Sequence, residues 1–228
     1  MDSAPKLGNL EAAIAKLTDE KIKADALANK ELFEKYYPLM DSDIWKQVHE
    51  SDDKSVQSYT AQADGGLLMA KGVAQFPFKP EKVRKYTEKM ENRPLYDEMH
   101  DEGVVFNTIE DKENEVIIFE LYSKRSGMKL VDARDFVCNH VAFKVGDAWM
   151  ACSHSIEHPS YAEVPKSTVR GQLDFYIFEF APGEGGKGCT FRRMFRAHPK
   201  GSIPDIIVNM VMKNSGMELY DMRKAMLE

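Results

Sequence analysis

The spacing of apolar residues changes along the chain, and each change predicts a different element. From Asn9 to about Tyr37, Leu10, Ile14, Leu17, Leu27 and Phe33 form an intermittent stripe among Ala, Lys and Glu. This spacing predicts one or two amphipathic helices, with Thr18, Asp19 and Glu20 able to start the second and Pro38 marking the end. Short extended segments follow at Ile44 to Glu50, Val56 to Gln62 and Leu67 to Gln75, with Asp64, Gly65 and Gly66 as a hairpin turn. From Lys79 to Arg93, helical spacing returns through Val83, Tyr86 and Met90, and Pro80 suits a first turn.

The second half is mostly strand. Val104 to Glu110, Glu115 to Tyr122, Asp135 to Val145, Ala148 to Ser155, Thr168 to Phe180 and Cys189 to His198 are the expected segments, and Ser123 to Arg134 is a long connection. Most of the gaps are too short for crossover helices, which excludes a parallel, Rossmann-like sheet. Pro204 to Leu227 predicts a final helix of about 23 residues, roughly 35 Å long. Ile206, Ile207, Met210, Val211, Met217, Tyr220 and Met226 give it a wide apolar face, and Asn214, Ser215 and Gly216 offer a bend. The expected fold is α+β: a curved nine-stranded antiparallel sheet around an apolar cavity closed by a long C-terminal helix. It is read as one domain over residues 1–228, with 1–40 as an N-terminal helical segment.

Composition narrows the function classes. With 31 basic and 37 acidic side chains the net charge is −6, which disfavours a nucleic-acid partner; Arg192, Arg193 and Arg196 offer a local basic patch for anionic lipid, although on an extended strand Arg193 would face opposite to the other two. No run approaches the roughly 18 to 20 apolar residues of a spanning helix, and the N-terminus lacks a signal-peptide pattern. A soluble, intracellular protein is expected. The three cysteines Cys138, Cys152 and Cys189 are too few for a disulfide framework and read as buried thiols.

Neither a metal nor a cofactor is expected. Cys152, His154 and His158 lack a clear fourth ligand, and the run Gly183 to Gly188 lacks the Ser or Thr of a phosphate loop and sits between strands. Asp97, His100 and Asp101 come with no activated nucleophile, so no catalytic residue is assigned. The polar residues inside strands carry more. Glu120 and Arg134, if they face inward, demand an ion pair or a polar ligand group. Phe119, Phe136, Trp149, Phe175 and Tyr176 are either core aromatics or the walls of a cage for a quaternary ammonium. Thirteen methionines, several crowded into the last helix, suit either core filling or a pocket wall.

An ordered series of segments over the last hundred residues resembles the START family, the StAR-related lipid-transfer domains. It comprises Arg134-Asp135-Phe136-Val137, Ser153-His154-Ser155-Ile156 with His158-Pro159, Val169-Arg170-Gly171, and Pro199 to Pro204 leading to Val208-Asn209. The resemblance implies a helix-grip fold around a hydrophobic tunnel, with the C-terminal helix as a lid and the loop Ser123 to Arg134 moving with it. It also implies a non-catalytic carrier that extracts one lipid from a membrane and releases it elsewhere.

The phosphatidylcholine-transfer branch is the most similar. It implies Arg93 as the phosphate ligand, Asp97 near the head group, Phe119, Phe136 and Phe175 or Tyr176 facing choline, and Glu120 as a buried carboxylate. With Arg134 and Met210 these complete the expected ligand-binding set, and Met128, Leu130, Ile203, Ile207 and Val211 form the expected lid and membrane contacts. The chain departs from the family at His140, where many members place Arg, and at Ile203, where Trp is common. The expected partner is therefore a single phospholipid, met by a monomer in the cytoplasm through transient membrane contact. A sterol or fatty-acid carrier, a lipid sensor, and a cyclase- or hydrolase-like enzyme are the alternatives.

Overall fold

The computed structural model describes residues 5–63, 67–127, 131–203, 208, 211 and 215–228. The chain opens with helices α1 (Gly8–Ala15) and α2 (Glu20–Tyr36). Asp19 caps α2 by accepting from the amides of Lys21 at 2.9 Å and Ile22 at 3.1 Å, which satisfies two of the free donors of the first turn. Of the apolar stripe read from the sequence, Leu10, Ile14 and Phe33 are buried and Leu17 is half-buried, whereas Leu27 is exposed and its neighbour Ala26 takes the inward position on α2.

Strands β1 (Lys46–Glu50), β2 (Val56–Gln62) and β3 (Leu68–Phe76) lead to helix α3 (Pro80–Glu88). The helical segment expected to reach Arg93 instead breaks at Lys89, whose backbone is extended, and resumes as a 3-10 segment over Met90–Leu95. Next come β4 (His100–Asp111), β5 (Val116–Arg125), β6 (Ala133–Val145), β7 (Ala148–Ser155), β8 (Thr168–Arg170), β9 (Gln172–Pro182) and β10 (Cys189–His198). The described C-terminus is a 3-10 turn, Ser215–Met217, followed by helix α4, Glu218–Leu227.

The architecture is helix-grip-like, but three parts of the expected fold are corrected. First, the sheet is not a nine-stranded wrap around the cavity: it has ten strands, nine of them in the open path β1-β2-β3-β10-β9-β7-β6-β5-β4 with β1 and β4 as unjoined edges, and β8 off that path against β6. Second, it is not antiparallel throughout. The expected strand Thr168 to Phe180 is interrupted at Gly171, and its first part, β8, pairs parallel to β6. The cause is an ion pair across the two strands, in which Arg170 Nε and Nη2 donate to Asp135 Oδ1 and Oδ2 at 2.9 and 3.0 Å, with Asp135 fully buried. Third, the final helix is not continuous: the 3-10 turn Ser215–Met217 interrupts it where Asn214, Ser215 and Gly216 offered a bend, and the part after the turn, α4, has 10 residues. Of the stretch before Ser215 that was expected to continue it, Val208 and Val211 are described as helical, and residues 204–207, 209, 210 and 212–214 lie outside the described residues.

The sheet has two apolar faces. One carries Val141, Phe143, Met150, Cys152, Phe175 and Ile177 and packs under α1 and α2, where Phe33 meets Phe143 edge-on at 5.1 Å and Tyr36 stacks on Phe175 at 4.1 Å. The other packs in part against α3 and α4 through Trp149, Phe178, Phe180, Phe191, Leu219 and Met222. No helix among the described residues is long and apolar enough to cross a membrane.

Candidate functional site

On the α3 and α4 side the sheet leaves a cavity of about 590 Å³. Strand register builds its wall. Phe119 pairs with His140, His140 with Ser153, Ser153 with Tyr176, and Tyr176 with Phe195, so one row of side chains crosses β5, β6, β7, β9 and β10. All five line the cavity. The neighbouring row, Glu120, Asn139 and His154, faces away because successive strand residues point to opposite faces.

That alternation sorts the expected ligand residues. Arg93, Asp97, Phe119, Arg134, Phe136 and Tyr176 line the cavity, as do Ile203 and Val211 of the expected lid. Glu120 and Phe175 do not. Glu120 is buried beneath the sheet, where Asn107 Nδ2 donates to its Oε2 at 2.9 Å, and Phe175 lies under Tyr36. Met210, Met128, Leu130 and Ile207 lie outside the described residues, as does the turn at Asp64 to Gly66.

One end of the cavity is ionic. Arg93 Nη1 donates to Glu218 Oε1 at 3.3 Å, and Arg193 Nη2 donates to Glu218 Oε2 at 3.1 Å. Asp97, 5% exposed, pairs with Arg125 and accepts from the amide of Met99 at 3.1 Å. Burial alone would raise the Glu218 carboxyl, but the Arg193, Arg93 and Arg125 guanidiniums outweigh it and hold the group well below the usual carboxylate range. Asp97 moves the other way, raised first by burial and then by the nearby Glu218 carboxylate. The Arg93 Nε and the Tyr96 Oη are buried with no hydrogen-bond partner among the described residues.

Sequence reasoning missed Glu218, Arg125 and Arg193 at this end. Arg193 falls on the cavity face of β10 while Arg192 and Arg196 take the other, so the expected basic patch does not form. Arg192 is paired with Asp41 and Glu179, and Arg196 with Asp174. Asp97, His100 and Asp101 do not form an acid–base group either. Asp97 is committed to Arg125 and Asp101 to Lys124, and the His100 imidazole is lowered first by burial and then by Arg93. His154 hydrogen-bonds Asn29 at 3.0 Å, whereas His158 packs on Phe106 at 4.6 Å, so the spaced Cys152, His154 and His158 do not converge. All three cysteines are free and buried, and burial pushes the cavity-lining Cys138 thiol up to about 12.

A mostly apolar chamber with a few fixed charges at one end, walled by a sheet and a C-terminal helix, defines a helix-grip binding protein for one molecule with an apolar body. The START domain model matches residues 28–228, and the chain belongs to that family. Its general function is that of the superfamily, non-catalytic lipid binding and transfer.

Solved structures agree on the fold. Human StAR-related lipid transfer protein 5 superposes with a TM-score of 0.76 at 17% identity, covering 89% of this chain and 96% of that one. Human STARD10 gives 0.71 at 19%, covering 86% and 79%. A fragment of a STAR-related lipid transfer protein from Xanthomonas axonopodis gives 0.68 at 17%, covering 82% and 100%. No curated protein matches the chain in sequence.

Proposed function

We propose that the chain carries one glycerophospholipid, such as phosphatidylcholine, between membranes, with the head-group phosphate on Arg93. The observation that carries this reading is the state of Arg93. Its guanidinium lines the cavity, one nitrogen is held by Glu218, and Nε is buried with no acceptor among the described residues. An unmet buried donor costs about 1–3 kcal/mol, and a phosphate oxygen would meet it with a charge-assisted bond.

Asp97 acts through Arg125, holding a second cation beside the phosphate. Phe119, Phe136 and Tyr176 face the ligand as apolar walls able to accept a choline cation. Leu95 and Val211, 63% and 37% exposed, give apolar surface for brief membrane contact, Val211 at the cavity itself. The protein works as a monomer in the cytoplasm and needs no cofactor.

The test is transfer of labelled phosphatidylcholine between vesicles by the Arg93→Ala protein. The expected result is a rate at least tenfold below wild type with the fold retained by circular dichroism. Wild-type transfer by that variant overturns the assignment.

A further inference from the structure

Helix α3 and the residues on either side of it carry a charge opposite to that of the chain as a whole. Residues 79–89 hold five basic side chains, Lys79, Lys82, Arg84, Lys85 and Lys89, against two acidic ones, Glu81 and Glu88, so this short stretch is net +3 in a chain whose total is −6. Arg84 and Glu88 pair with each other beneath the surface, where the Arg84 guanidinium lies 4.1 Å from the Trp149 ring. What faces outward is therefore four exposed lysines and one exposed acid, Glu81. The helix sorts them by its period: Val83 and Thr87 are buried, while Lys82 and Lys85, one turn apart, point out.

Most of these lysines are not neutralised by neighbours. Lys85 pairs with Glu81 at 2.7 Å, both side chains being exposed, whereas Lys79, Lys82 and Lys89 have no carboxylate partner among the described residues. The Lys82 ammonium rests 3.7 Å from the Phe78 ring. Helix α2 differs: its four lysines stand among four acids, and Lys21 and Lys30 pair with Asp25 and Glu34 one turn on.

The basic stretch runs directly into Met90–Leu95, which carries Arg93 on the cavity and Leu95, 63% exposed, on the outside; Glu91 is the exposed acid between them. Lysines followed by a protruding leucine suit an anionic lipid surface, where ammonium groups are drawn to acidic head groups over about a Debye length and the leucine enters the apolar boundary. A nucleic acid offers the same charge but no apolar layer, and the net charge of the whole chain repels it.

We propose that Lys79, Lys82, Lys85 and Lys89 make α3 a docking face for anionic membranes, which sets the Arg93 end of the cavity and Leu95 down on the bilayer. The inference rests on the family-level reading that the chain exchanges lipid with membranes, and it is independent of the phosphate contact assigned to Arg93.

The experiment is flotation of the full chain with vesicles of phosphatidylcholine alone, or with about a third of it replaced by phosphatidylserine, at roughly 0.1 M salt. Wild type is expected to bind the anionic vesicles about tenfold more tightly, with the preference lost at roughly 1 M salt. In a Lys82→Gln, Lys85→Gln, Lys89→Gln variant the ratio should fall below about threefold. A Lys21→Gln, Lys23→Gln, Lys35→Gln variant removes the same charge from α2 and should keep it. Equal binding of both vesicles by wild type overturns the docking face, as does an equal loss in the two folded variants, which would mean that net charge rather than α3 is responsible. Loss of phosphatidylcholine transfer in Arg93→Ala without any preference for anionic vesicles would keep the phosphate reading and remove this one. A preserved preference with unimpaired transfer by Arg93→Ala would do the reverse.

Discussion

Arg93, in the 3-10 segment before β4, and Glu218, the first residue of α4, meet at 3.3 Å and so tie the C-terminal helix to the opposite wall of the cavity. The same carboxylate holds Arg193 of β10 at 3.1 Å. One acidic side chain therefore joins three parts of the chain that are far apart in sequence. Removing it leaves two buried guanidiniums without that counter-charge, which is the costly way to break a buried pair.

Glu218→Gln is expected to lose about 3 kcal/mol of stability, measured by urea denaturation at pH 7. The pH dependence has a definite sign. The folded state holds this carboxyl below its unfolded value of 4.5, so its contribution is complete above that pH and is lost as pH falls further. Asp97, shifted upward, offsets part of the loss. The urea midpoint of wild type should drop more steeply between pH 5 and pH 3 than that of Glu218→Gln, and parallel curves would contradict the assignment.

Gly171 separates β8 from β9 because of what lies above it. A Cβ there would stand 2.4 Å from Cε1 of Phe136, a ring that lines the cavity. Gly171→Ala must push that ring inward or lift β8 off β6, at a cost of about 1–3 kcal/mol. Reduced lipid loading with partial recovery in the Gly171→Ala, Phe136→Leu double variant is the expected pattern in native mass spectrometry. Recovery is absent if the strain falls on the backbone instead.

Glu120 lies on the far face of the sheet, so its role is structural. Glu120→Gln keeps the size of the side chain but changes the acceptor that Asn107 uses at 2.9 Å. Lipid affinity should stay within twofold of wild type while the thermal midpoint shifts. A large change in affinity with an unchanged midpoint would return Glu120 to the ligand site.

Much of the secondary structure was legible from local pattern. Asp19 and Pro80 start helices where their chemistry suggested, and β7 and β10 match the expected segments at both ends. Periods of 3.6 and 2 are local properties, carried by neighbours within a few residues. The ordered segments from Arg134 to Asn209 were enough to point to the family that the chain belongs to.

What the chain alone left open was decided by pairing. Alternation shows that Phe119 and Glu120, or Phe175 and Tyr176, must face opposite ways, but not which member faces the cavity; the registers of β5, β6, β7 and β9 choose Phe119 and Tyr176. The parallel β8, the open path of the other nine strands, the Glu218 tie and the meeting of Glu88 with His140 likewise depend on contacts between residues far apart in sequence. The sequence by itself determined the kinds of element and the lineage, because those rest on short-range periodicity and motif order. Only the tertiary structure decided which charges and unmet polar atoms converge on the cavity, because that is set by strand register and by where the helices dock.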